Sequence, residues 1–138
     1  MNAKAIITLA AATLCCLACT NEKKQVEEAA YGYCHATANF DIEGATPYCT
    51  SETARTTLVT ARKLIAMVDS AIIVADKPAT IAIVDVRFVS DTVAKAAYHK
   101  TTPIKDYIDT VELRKRDGRW LVHSPIEQKD RRKAIKQE

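Results

Sequence analysis

Glycine and proline are scarce in this chain, at three and four residues of 138. Collagen-like and low-complexity chains need far more of both, so this composition belongs to a sequence that folds. Charge of one sign is also in short supply. Twenty basic residues against seventeen acidic ones leave a net charge of +3. Nucleic-acid binding usually rests on a clustered basic face, so no nucleic-acid partner is expected. The histidines are His35, His99 and His123. None has a partner at a spacing such as His-x-x-x-His, and neither a metal nor another cofactor is expected. There is no glycine-rich phosphate loop, no nucleophile elbow and no serine–histidine–aspartate pattern.

The strongest signal present is at the N-terminus. Lys4 precedes an apolar run from Ala5 to Leu17, which closes in Cys16-Leu17-Ala18-Cys19. A charged start, about a dozen apolar residues and a small residue before the cut make a secretory signal. The run is too short to cross roughly 30 Å of bilayer hydrocarbon as a helix. Cys19 directly after Ala18 makes the site resemble a bacterial lipobox, where the cysteine is diacylated and becomes the mature N-terminus. Cys16 stands where that motif usually has leucine, and an ordinary signal peptide with a chance cysteine is the alternative. The expectation is a lipoprotein signal peptide at 1–18, lipidation of Cys19 and a short tether at 19–24. The protein would then be lipid-anchored in the cell envelope, facing the periplasm.

Removal of residues 1–18 leaves 120 residues, one ordinary domain. Cys15 and Cys16 leave with the signal and Cys19 carries lipid, so Cys34 and Cys49 remain. An even remainder in an oxidising compartment favours a Cys34–Cys49 disulfide. Two separately buried thiols are the alternative, and the spacing lacks the close pairs of structural zinc sites.

Along the mature chain, Val26, Ala30, Tyr33, Thr37 and Phe40 recur at helical steps, widened by Ala29 and Cys34. Asn39-Phe40-Asp41 and Gly44 break that helix. A short element near 45–49 follows, with Pro47 in an early turn. Thr50 or Ser51 caps a second helix carrying Leu58, Ala61, Ile65, Val68 and Ile72. Asp76-Lys77-Pro78 ends it, although the β-prone Ile72-Ile73-Val74 allows a stop near Ser70. Strands are expected at Thr80–Val89, Val93–Lys100, Tyr107–Arg116 and Arg119–His123, with turns at Ser90-Asp91 and Asp117-Gly118. Helices first and antiparallel strands after give an α+β fold, N-terminal helices packed on a curved antiparallel sheet.

Several segments carry a resemblance. They are Ala38-Asn39-Phe40-Asp41, Ala45-Thr46-Pro47-Tyr48-Cys49-Thr50, Val86–Ala94 and Val111–Val122, the last including Arg116-Asp117-Gly118-Arg119-Trp120. Their order and spacing are similar to the nuclear-transport-factor-2-like (cystatin-like, cone-shaped) superfamily, in particular to its small Bacteroidetes-type lipoproteins. The resemblance covers most of Glu22–Ser124 and implies one domain at 25–126 followed by a charged tail at 127–138. Enzymes of that superfamily work in the cone's pocket with an aspartate or histidine base and a tyrosine or second acid. Asp85, Asp91, Tyr98, His99, Tyr107 and Asp109 lie on or near strands and are the residues to weigh for that role. Asp85 and Arg87 are two apart and share one strand face, which suits an exposed pair better than a buried base.

No catalytic residue is therefore assigned. Tyr98, Tyr107, Val111, Leu113 and Trp120 are expected to line a pocket for a small apolar ligand, with plain core packing as the alternative. Arg114-Lys115-Arg116, Arg119 and the basic tail suit solvated surface, or contact with anionic headgroups. The expected function is an envelope lipoprotein whose non-catalytic domain binds a small apolar ligand or an envelope protein partner. A small isomerase, dehydratase or hydrolase of the same fold is the alternative, and a structural subunit of an envelope complex the third. The membrane is the expected partner through the N-terminal lipid.

Overall fold

The computed structural model describes residues 3–127, with side chains from Thr20 onward in the first helix. The charged tail lies outside the described residues from position 128 on. Helix α1 (Ala3–Ala38) runs unbroken through residues 19–24, the stretch expected as a tether. Its inward stripe is Val26, Ala29, Ala30, Tyr33 and Cys34, all buried. That spacing puts one helix face against the sheet. The helix ends because Phe40 takes a left-handed backbone, φ 62°. Asn39 then bonds both polar groups of Ala79: its Nδ2 donates to the carbonyl at 3.2 Å and its Oδ1 accepts from the amide at 2.9 Å. The end of α1 is thereby tied to the start of the sheet.

Asp41 caps α2 (Ile42–Ala45) by accepting from the Gly44 amide at 2.9 Å. A 3-10 turn at Thr46–Tyr48 follows, with Pro47 early in it. The next helical run is continuous but changes winding: α3 (Ser51–Thr53), a π-wound stretch Ala54–Leu58, and α4 (Val59–Met67). Threonines spaced along this run bond it to the chain after the last strand. Thr50 caps α3 and its Oγ1 lies 3.0 Å from His123 Nδ1. Thr53 Oγ1 accepts from the Ser124 amide at 2.9 Å, Thr56 Oγ1 accepts from the Ile126 amide at 3.1 Å, and Thr57 donates to the Ser124 carbonyl. Arg116 adds two short contacts to Glu52, 2.7 and 2.6 Å. Its donated bonds hold the Glu52 carboxyl down at about 2.

The segment Ile72-Ile73-Val74 is helical despite its β-prone composition, within α5 (Ser70–Ala75). Asp69 nucleates that turn by accepting from the Ala71 amide at 2.9 Å, so a local cap overrides propensity. The Lys77–Pro78 bond that follows is cis. Asp76 is buried; Thr102 donates to its carboxylate at 2.6 Å and Lys105 at 3.1 Å. The Thr102 bond foremost, with Lys105, holds the Asp76 carboxyl below its ordinary range.

Four antiparallel strands follow: β1 (Thr80–Phe88), β2 (Val93–Thr101), β3 (Asp106–Arg116) and β4 (Arg119–Val122). They lie in the order β1-β2-β3-β4, an open sheet. Asp117 and Gly118 both have positive φ, 51° and 75°, as a two-residue primed turn requires. The β1–β2 register shifts between Ile83 and Asp85. This bulge at Val84 moves the inward set from Ile81 and Ile83 to Val86, because one extra residue reverses the alternation. Asp85 and Arg87 are exposed.

The face toward α1 is set by register: Ala94 opposite Leu113, Ala96 opposite Val111, Tyr98 opposite Asp109, Lys100 opposite Tyr107. Leu113 in turn sits opposite Val122. Leu113, Val122, Ala94 and Ala96 are fully buried. Burying each large side chain contributes about 1.5–3 kcal/mol. The second helical run adds Leu58, Ala61 and Ile65 to the same core. Cys34 and Cys49 are both buried free thiols, a correction to the expected disulfide. Cys49 turns its Sγ to the Thr46 carbonyl at 3.6 Å and its backbone bridges to Val122, whereas Cys34 faces β2.

Candidate functional site

Where α1 nears its C-terminus, it and the sheet part into a cleft of about 220 Å³, lined by Cys34, Thr37 and Ala38 of α1 and by Tyr98, Lys100 and Tyr107. The local reasons are periodic. Residues three and four apart share a helix face. Tyr98 and Lys100 are two apart on β2, and Tyr107 is the register partner of Lys100. Asp109, opposite Tyr98, stands next along the same face.

The groups in and behind the cleft are held protonated. Burial, foremost, pushes the Cys34 thiol up to about 12, with Asp109 adding to the effect and Lys100 opposing it. Burial does the same to Tyr33, up to about 12, with Cys49 and Cys34 as neighbours. Tyr98 is raised further, again by burial first, then by Cys34 and Asp109. At neutral pH these are S–H and O–H donors. Cys34 is no thiolate, so it is no nucleophile. The Lys100 ammonium lies 5.7 Å from the Tyr107 ring centroid and forms no ion pair with any described residue. The cleft thus offers aromatic walls, hydroxyl and thiol donors and one cation.

The sequence-expected pocket residues divide. Tyr98 and Tyr107 come together at the cleft. Val111 is half-buried one pair further along, and Leu113 is sealed in the core. Trp120 lies at the other end. It pairs with Lys115, and eight residues of β3 separate Lys115 from Tyr107, about 26 Å at the usual rise. It is 4% exposed and meets Phe88 edge-on at 5.6 Å. Tyr107 and Trp120 therefore share no cavity.

The other weighed residues stand apart from the cleft. His99 points to the opposite sheet face and pairs with Asp106. His35 stacks on Tyr31 at 5.3 Å on the outer side of α1. His123 bonds Thr50, and burial with Arg114 and Arg116 nearby lowers its pKa. Asp91 is exposed beside the β1–β2 turn. Among the described residues, no group of three or more His, Cys, Asp or Glu side chains could hold a metal, and no helix is long and apolar enough to cross a membrane.

Sequence reasoning missed Cys34, Thr37, Ala38 and Lys100 as cleft residues. The signal was available, since Thr37 and Cys34 lie on the apolar stripe and Lys100 alternates with Tyr98. A lysine on the inward face of a strand was the mark of an open end. Compared with known protein families, with proteins of curated function and with solved structures, the chain has no match.

Proposed function

We propose that this chain is an envelope lipoprotein with a nuclear-transport-factor-2-like domain, whose cleft at Tyr98, Lys100 and Tyr107 binds a small amphipathic ligand without transforming it. The observation that carries the reading is the protonation state of the cleft. Burial raises the pKa of Cys34, Tyr33 and Tyr98 and keeps all three uncharged, whereas a general base works best with a pKa near the operating pH. Such groups donate hydrogen bonds, and Asp109, the carboxylate opposite Tyr98, is exposed to solvent and is not among the residues lining the cleft. An apolar body would lie against the tyrosines, and an acidic or carbonyl end would meet the unpaired Lys100.

The lipid anchor is supported by Lys4, the run Ala5–Leu17 and Ala18-Cys19. A diacylated cysteine with an acylated amine carries enough methylenes, at about 0.8 kcal/mol each, for stable attachment. Cys19→Ser is expected to release the protein from the membrane pellet after a carbonate wash. Its retention there would contradict the anchor.

The cleft is tested with 8-anilinonaphthalene-1-sulfonate, an apolar ring system with an anionic group. The probe is expected to bind with enhanced fluorescence. Lys100→Met keeps the aliphatic stem and removes the charge-assisted contact, and is expected to weaken binding about tenfold. Equal affinity in the variant, or hydrolysis or isomerisation of ester and ketone substrates that Tyr98→Phe abolishes, would overturn the reading.

A further inference from the structure

The outer face of α1 borders a second and larger cavity, about 520 Å³, to which Glu28, Tyr31, His35, Asn39, Asp41 and Tyr48 bring their side chains. It is independent of the cleft at Tyr98. Its composition is one-sided: two carboxylates and three rings, with no lysine or arginine among the lining residues. Arg119, which lies beyond Tyr48, is turned to the Pro47 carbonyl at 3.4 Å.

The walls are built. Tyr48 sits directly on Gly32, where an added Cβ would stand 2.5 Å from its Cζ, so the missing side chain at 32 is what seats the ring. Tyr31 is held by its stack on His35, ring planes 21° apart. Both tyrosines still keep much of their surface open, 46% and 39%. Two of the polar groups are spent internally. Asn39 bonds Ala79, and Asp41 caps Gly44. Glu28 is exposed and forms no hydrogen bond or ion pair with any described residue, so its carboxylate is available.

Ring faces carry negative quadrupole charge and attract cations, most strongly quaternary ammonium groups. An anion would meet Glu28 and Asp41 with no lysine or arginine to balance them, and a purely apolar guest would desolvate them without compensation. A divalent metal lacks the three ligands it needs here. We infer that this cavity takes a small methylated ammonium group, seated between Tyr31 and Tyr48 with Glu28 as its counter-ion. The same chemistry is offered by a free amine and by a lipid headgroup.

Isothermal titration of the full chain with choline and with 3,3-dimethyl-1-butanol, its neutral carbon isostere, tests this. Choline is expected to bind at least tenfold more tightly than the alcohol. Glu28→Gln changes only an exposed side chain, so its effect does not depend on folding, and it is expected to weaken choline several-fold while leaving the alcohol unchanged. Gly32→Ala, which displaces the Tyr48 ring, is expected to weaken choline as well. Monomeric dihexanoylphosphatidylcholine binding more tightly than choline assigns the ammonium to a headgroup, and the reverse order assigns it to a free cation. Equal affinity for choline and the alcohol, or choline binding untouched by Glu28→Gln, would overturn the inference.

Discussion

The two ends of the α1–sheet interface use the same alternation with opposite results. At one end Ala94, Ala96, Leu113 and Val122 have no exposed surface, and Trp120 nearly none. At the other, the same inward face carries Tyr98, Lys100 and Tyr107, and a cleft opens in front of Cys34. The helix is continuous across both ends and the strands are paired across both. The difference lies in the side chains. Alanines on β2 are sealed beneath α1 beside Leu113, whereas tyrosines and a lysine line a cleft. Backbone architecture provides the layer, and residue size decides where it closes.

The sharpest way to break this comparison is truncation at each end. Leu113→Ala leaves a cavity in a packed region and is expected to cost about 3 kcal/mol, within the usual range of about 2–5. Tyr107→Ala is expected to cost under about 1 kcal/mol, because the ring is already 40% exposed and its loss only widens an opening. Urea denaturation of both variants checks this, and comparable losses would mean that the cleft end is packed after all.

Alkaline titration sharpens it further, through the groups buried behind the cleft. Cys34 and Tyr33 are each raised to about 12 in the folded state, from ordinary values of 9.0 and 10.0. The folded chain therefore holds protons that the unfolded chain gives up. Stability is unaffected below about pH 9 and falls as pH rises from 9 to about 12. The slope reaches about 1.4 kcal/mol per pH unit for each group. Cys34→Ala is expected to delay the onset by removing the group that titrates first in the unfolded chain. Stability that stays flat from pH 9 to 11 in the parent would contradict the burial assigned to both groups.

Much of the fold is legible in the sequence because its signals are local. Thr50 as a cap, the break at Asn39-Phe40-Asp41, the Asp117-Gly118 turn and the four strand positions all follow from short-range chemistry. Three features are less legible because each depends on something beyond the segment itself. Ser70–Ala75 is helical through the Asp69 cap, against the propensity of Ile72-Ile73-Val74. The Val84 bulge alters which β1 residues face inward, and a strict period of two does not reveal it. Parity pairs Cys34 with Cys49, but the fold turns one toward β2 and the other toward Thr46. The candidate site was half legible for the same reason. Strand alternation grouped Tyr107 with Val111 and Leu113 correctly as one face, yet a face eight residues long has two ends, and Trp120 belongs to the far one.

The central claim, that of the two ends of the α1–sheet interface the open one binds an amphipathic ligand and the packed one does not, is tested most directly by ¹H–¹⁵N NMR of the chain titrated with 8-anilinonaphthalene-1-sulfonate. Amide shifts are expected at Cys34, Thr37, Tyr98, Lys100 and Tyr107, with the indole resonance of Trp120, at the packed end of the interface, unchanged. Shifts centred on Trp120, or saturable binding with no shift at those five residues, would contradict it.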